Sequence, residues 1–197
     1  SDLPQLRQPG PALPELDAAP GVLIYDIESD PDARDDFLHG FVLLARRADG
    51  RWPEAVEAAA APYRPMLALQ EHGEARLWQR LRGLLAAYPA WPVLHYGETE
   101  RLALVRLAQR QGAREAEIAD LRVRLLDVHQ RLRQHWWLPT NGYGLKPVAS
   151  WLGFRWRQQG VDGARALLWW RRWRLGVTPA GADQPRGSRH NLRWIFR

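Results

Sequence analysis

The chain has 197 residues, 46% of them hydrophobic and 25% charged, with no Cys and a net charge of +6, an ordinary soluble composition that suffices for one well-buried domain with or without a tail. Without cysteine there is no disulfide framework and no thiolate zinc site, and with no apolar run long enough to cross a bilayer and no signal-peptide core at the N-terminus the expected compartment is the cytoplasm, with no membrane partner. The charge is divided: residues 1–128 carry 15 Arg against 20 acids, net −5, and residues 129–197 carry 12 Arg and one Lys against Asp162 and Asp183, net +11, a split that suits a polyanionic substrate as well as a solvated basic surface.

Residues 1–20 hold Pro4, Pro9, Pro11, Pro14 and Pro20 and no apolar period, so they read as an extended linker or wrapping arm, with the fold beginning near Gly21. Val22–Glu28, VLIYDIE, reads as a short buried strand. Side chains alternate across a strand, so Asp26 and Glu28 share one face and Tyr25 falls on the other, in the core. Two carboxylates so close either end the strand in solvent or share a divalent cation that prefers oxygen. After the loop SDPDARDD, Phe37–Arg46 reads as a second strand paired back on the first. The Ala-rich run Ala55–Ala61 is a loop or one helical turn, and Tyr63–Leu69 a third strand. Ala75, Trp78, Leu81, Leu85 and Tyr88 then mark a helix that AYPAWP terminates.

Pro92–Tyr96 reads as a fourth strand, leading through Gly97 into a helix capped by Thr99, with Leu102, Val105, Leu107 and Ala108 on its buried side. Glu100 thereby enters the first helical turn, where an acid either serves the helix dipole or faces a ligand at the strand ends. His95 and Tyr96 lie beside it, as structural residues or as substrate contacts. Arg122–Val128 reads as a fifth strand ending in Asp127, and Leu132 onward as helix or turn to Pro139. TNGYG is a turn by its chemistry. A helix follows from Leu145 to Leu152, with Leu145, Val148, Ala149 and Leu152 on one face and Gly153 as its stop. Lys146 at its start is placed to meet a phosphate or to stand in solvent. Asp162 caps a helix running to Arg174, and a last one runs from Asn191. Within Trp151–Arg174, Trp and Arg interleave, a pattern that grips single-stranded nucleic acid by stacking and charge. Most of these Trp fit a core, while Arg171 and Arg172 fit a surface. The whole is an α/β fold: a mixed five-stranded sheet flanked by helices in three layers, its first three strands antiparallel.

Taken in order, YDIES, FLHGFVLL, HYGETE, LLDVH and GLKPVASWLGFRW resemble the ribonuclease-H-like, DEDD-type exonuclease domain of YprB-like proteins and RecB-family nucleases. That resemblance runs from about Gly21 onward and implies a hydrolase in which four acids bind two Mg²⁺ or Mn²⁺ ions and cut nucleic acid, DNA or RNA, from its 3′ end. Asp26 and Glu28 match the first motif and Glu100 the second, as catalytic ligands; Asp127 matches an acid close to the metals. The resemblance places a fourth ligand, an aspartate, after a tyrosine that follows a helix like NLRWIFR. The sequence ends at Arg197, so the expectation is a domain over 21–197 that stops short of that acid, with a RecB-like nuclease domain upstream in the parent protein. Two functions follow: a nuclease when complete, or a catalytically inert module that binds nucleic acid or acts as a scaffold.

Overall fold

The computed structural model describes residues 3–30, 32, 35–67 and 73–155; the helices expected at 162–174 and from 191, with Arg171 and Arg172, lie outside these residues. In chain order the elements are β1 (Gln5–Leu6), β2 (Gly21–Asp30), β3 (Asp35–Ala45), α1 (Ala55–Ala59), β4 (Tyr63–Leu67), α2 (Gly73–Ala87), β5 (Val93–His95), α3 (Thr99–Arg110), α4 (Glu115–Arg124), β6 (Leu125–Asp127), α5 (Val128–His135), β7 (Trp136–Trp137) and α6 (Leu145–Trp151), with one 3₁₀ turn at Pro14–Leu16. Five strands form one sheet in the order β4-β3-β2-β5-β6. The pairs β2/β3 and β3/β4 are antiparallel, and β2/β5 and β5/β6 parallel. This is the mixed sheet that the sequence predicts, with β2 at its centre.

β2 shows why. Leu23, Tyr25 and Ile27 are buried, and Leu43 and Phe41 stand opposite Leu23 and Tyr25 in register. They pack under Leu77, Trp78, Leu81, Leu84 and Leu85 of α2 and Leu104, Leu107 and Ala108 of α3. Each such side chain contributes roughly 1.5–3 kcal/mol on burial, so the helices are driven onto this face. Ile24 and Asp26 point the other way and are exposed. Arg124 closes the far end of α2, donating to the carbonyl oxygens of Leu85, Tyr88 and Trp91 at 2.7–3.2 Å.

Several boundaries differ from the sequence reading. Residues 122–124 are the last turn of α4, and β6 is only Leu125–Asp127. α4 buries only Ile118 and Leu121, too sparse an apolar stripe to announce itself. Thr99 is the first residue of α3 rather than its cap, which is Glu98, and no side chain bonds there. Leu102 is 42% exposed and Leu104 fully buried in its stead. On α6 only Val148 is buried; Leu145 and Leu152 are exposed. Gly153 does follow that helix, with φ +86°.

Residues 5–6 pair with residues 136–137, and two arginines fasten what lies between the arm's start and β2. Arg46 donates to the carbonyl oxygens of Leu16, Asp17 and Ala19 and lies over the Trp52 ring. Arg131 bonds Ala12 O at 2.9 Å and the Glu15 carboxylate at 2.6 Å.

Beneath the acids lies a buried stack. Tyr25 sits against Phe41 with centroids 4.7 Å apart, and its hydroxyl shares a 2.8 Å hydrogen bond with His39 Nδ1. Burial lowers the His39 pKa to about 4, outweighing the pull of Asp36. The imidazole is therefore expected to stay neutral from pH 7 down to pH 5. NMR of its Cε1 proton checks this: an inflection near 6.5 would mean that the ring meets water.

Candidate metal centre

The acids expected to meet do so in part. β2 carries Asp26 on the face away from the core, and α3 carries Glu100 in its first turn, 8% exposed. Their carboxyl groups lie close enough for each to shift the other's protonation, an arrangement that favours sharing a proton or a cation. Burial is the main force raising the Glu100 pKa, to about 7, with the charge of Asp26 next among the causes that raise it. Asp26 opens to solvent on one side, yet the groups crowding its carboxyl strip away enough water to raise its pKa as well. Glu28, half-buried two residues along, is raised by burial and then by the charge of Asp26. A register shift between Glu28 and Ser29 interrupts the regular ladder at the site before pairing resumes at Ser29 and Asp36, a device that re-aims side chains.

Asp127 is committed elsewhere. Its Oδ1 accepts from Gly97 N at 2.9 Å and from Gln130 N at 3.3 Å, capping α5. Gly97 can present that amide because it holds φ +101°, where other residues are strained. Asp127 stands opposite His95 in the parallel register, and its charge still reaches Glu100. His95 is 2% exposed and its Nδ1 donates to Gly97 O at 2.6 Å. A carbonyl can only accept, so Nε2 is the bare acceptor, and it has no partner among the described residues. Tyr96 gives its hydroxyl to Tyr143 O and lays its ring on His129, tying the TNGYG turn to the end of β5. Lys146 is exposed on a helix of only seven residues.

Two carboxyl groups from different elements, with Glu100 Oε2 buried and unpartnered among the described residues, have the oxygen chemistry that suits a hard divalent cation. Among those residues no group of three His, Asp or Glu side chains is arranged to hold an ion by itself. Asp26 and Glu100, with Glu28 adjoining, therefore fit as part of a metal site.

The sequence reading missed Tyr63. Gly40 stands opposite Asp26, and the Tyr63 ring lies across it: a Cβ at position 40 would come within 2.5 Å of the Tyr63 hydroxyl. Burial first, then Asp26 and Glu28, push that phenol up to about 12. Gly40→Ala is expected to lower stability by about 1 kcal/mol, and to cost nothing in a Tyr63→Ala background, in a double-mutant cycle read by urea unfolding.

A family model described as the RNase_H superfamily matches residues 23–183. No curated protein matches the chain, and no solved structure does.

Proposed function

Because the chain belongs to the ribonuclease H superfamily, we propose that it is a metal-dependent nuclease domain that hydrolyses phosphodiester bonds of nucleic acid from the 3′ end, part of a RecB-like parent protein. The observation that carries this reading is the closeness of the Asp26 and Glu100 carboxyls, two acids that 74 positions of sequence separate; burial raises both pKa values, and the charge of Asp26 adds to the rise at Glu100. Asp26 and Glu100 would hold Mg²⁺ or Mn²⁺, and Glu28 would share an ion or orient the attacking water. A bound ion supplies activated water and neutralises charge on the leaving oxygen. Tyr25, His39 and Phe41 keep the strand rigid beneath. Tyr63 screens one side of Asp26.

Stepwise shortening of 5′-labelled single strands in Mn²⁺, absent in EDTA, is the expected result; equal shortening in EDTA would overturn the assignment. The absence of a three-acid group among the described residues favours a second reading, an inert nucleic-acid-binding or scaffolding module, which the same assay would reveal as retention of label without cleavage.

A further inference from the structure

One face of α3, from Glu98 to Gln109, and one face of α5 enclose an open groove of about 1140 Å³. Its walls carry Arg7, Arg101, Arg106, Arg122 and Arg133. Arg122 is paired with Glu115 at 3.5 Å. Arg101, Arg106 and Arg133 are exposed and have no acidic partner among the described residues. Arg7 donates to Arg133 O at 2.7 Å and stacks 4.0 Å from the centroid of Trp137, itself 55% exposed. The opposing acids are Glu98 and Asp127, and Asp127 is already bonded to backbone amides. Against five arginines stand Glu98, Asp127 and the Glu115 that pairs Arg122, so the groove keeps a net positive excess of about two charges.

Its position and shape narrow the ligand. The inner end is formed by His95, Gly97 and Glu98, beside the turn that delivers Glu100 to Asp26. The buried, unpartnered Nε2 of His95 belongs to this end. Eleven helical steps span about 16 Å, so the stated volume gives a cross-section of about 70 Å², some 8 Å across. A duplex is wider than its own ≈ 12 Å major groove, so a channel of this width admits a single chain. At about 3.4 Å per stacked phosphate, the length holds about four or five phosphates.

We propose that this groove is a binding track for the phosphate backbone of single-stranded nucleic acid, separate from the acids and leading to them; its role as a track rests on the nuclease reading above, its binding does not. Guanidinium groups suit the task, presenting paired donors to phosphate oxygens. The exposed Trp137 ring, stacked on the groove's Arg7, offers a base an aromatic surface beside it.

The test is fluorescence anisotropy with a labelled single strand of about 12 nucleotides, in EDTA so that nothing is cut, across a salt series. Wild type is expected to bind with a steep salt slope. The pair Arg101→Gln and Arg106→Gln is expected to weaken binding about tenfold and flatten the slope by about 1.4, at 0.7 per phosphate lost, while Arg101→Lys with Arg106→Lys keeps most of the affinity. Arg133→Gln, on the other helix, provides an independent variant with a smaller loss. Unchanged affinity and slope in the Gln variants would overturn the proposal, as would polyglutamate competing as well as unlabelled oligonucleotide of equal charge. Cleavage with unaltered Gln variants removes the track and leaves the nuclease; Arg-dependent binding without cleavage does the reverse.

Discussion

Asp26→Asn is expected to lower the rate of phosphodiester hydrolysis about a thousandfold while leaving the fold intact. Asn matches Asp in shape but carries no charge, and the side chain stands on the exposed face of β2, so no core contact is lost. Removing one anionic ligand costs several kcal/mol of charge stabilisation in the transition state; about 4 kcal/mol is three decades at 1.36 kcal/mol each. Glu100→Gln is expected to follow within about tenfold, since the two carboxyls act as a unit. Initial rates in saturating Mn²⁺ decide it: an Asp26→Asn protein that cuts within about threefold of wild type, a gap under 1 kcal/mol, would remove the acid pair from the chemistry.

The same Glu100→Gln change is expected to make the metal-free protein more stable at pH 8. Glu100 titrates at about 7 in the folded chain against an ordinary 4.5. A raised carboxyl stabilises the fold fully below its unfolded pKa, and that contribution is lost as pH climbs through the folded value. At pH 8 the folded protein therefore holds a charge that its surroundings resist, at a cost of about 3 kcal/mol. Gln removes it, and the melting temperature should rise by about 5–10 °C in EDTA, with the difference vanishing below pH 4.5. Mn²⁺ should raise the wild-type midpoint and not that of the variant. A variant that melts below wild type at pH 8 would mean that Glu100 is a structural acid. His39 acts with the opposite sign: its pKa of about 4 makes stability fall as pH drops below 6.5. The two offset each other in wild type, so Glu100→Gln should also expose a steeper acid limb.

How far the sequence speaks for itself depends on the residue. β2 was legible because a short apolar run between Gly21 and a polar, Pro-containing segment reads as a buried strand, and strand alternation then put Asp26 and Glu28 on one face and Tyr25 on the other. Glu100 was legible from its place in a first helical turn after a strand. α4 was not, since Ile118 and Leu121 alone make no stripe, and its last turn passed for strand. Asp127 was visible as an acid at a strand end, but its bonds to Gly97 and Gln130 arise only once β6 lies beside β5. The basic groove could not be read at all. Arg7, Arg101, Arg106 and Arg133 each look like a solvated charge, and only the topology gathers them. Tyr63 beside Gly40 is likewise a consequence of β3/β4 register.

The division of labour along β2 has an evolutionary corollary. Odd positions 23, 25 and 27 hold the interior together, whereas 26 and 28 lie on the other face, outside the apolar core. Selection can therefore relax at positions 26 and 28 without threatening the architecture, and descendants that lose the acids should persist as sturdier, silent copies rather than unfold.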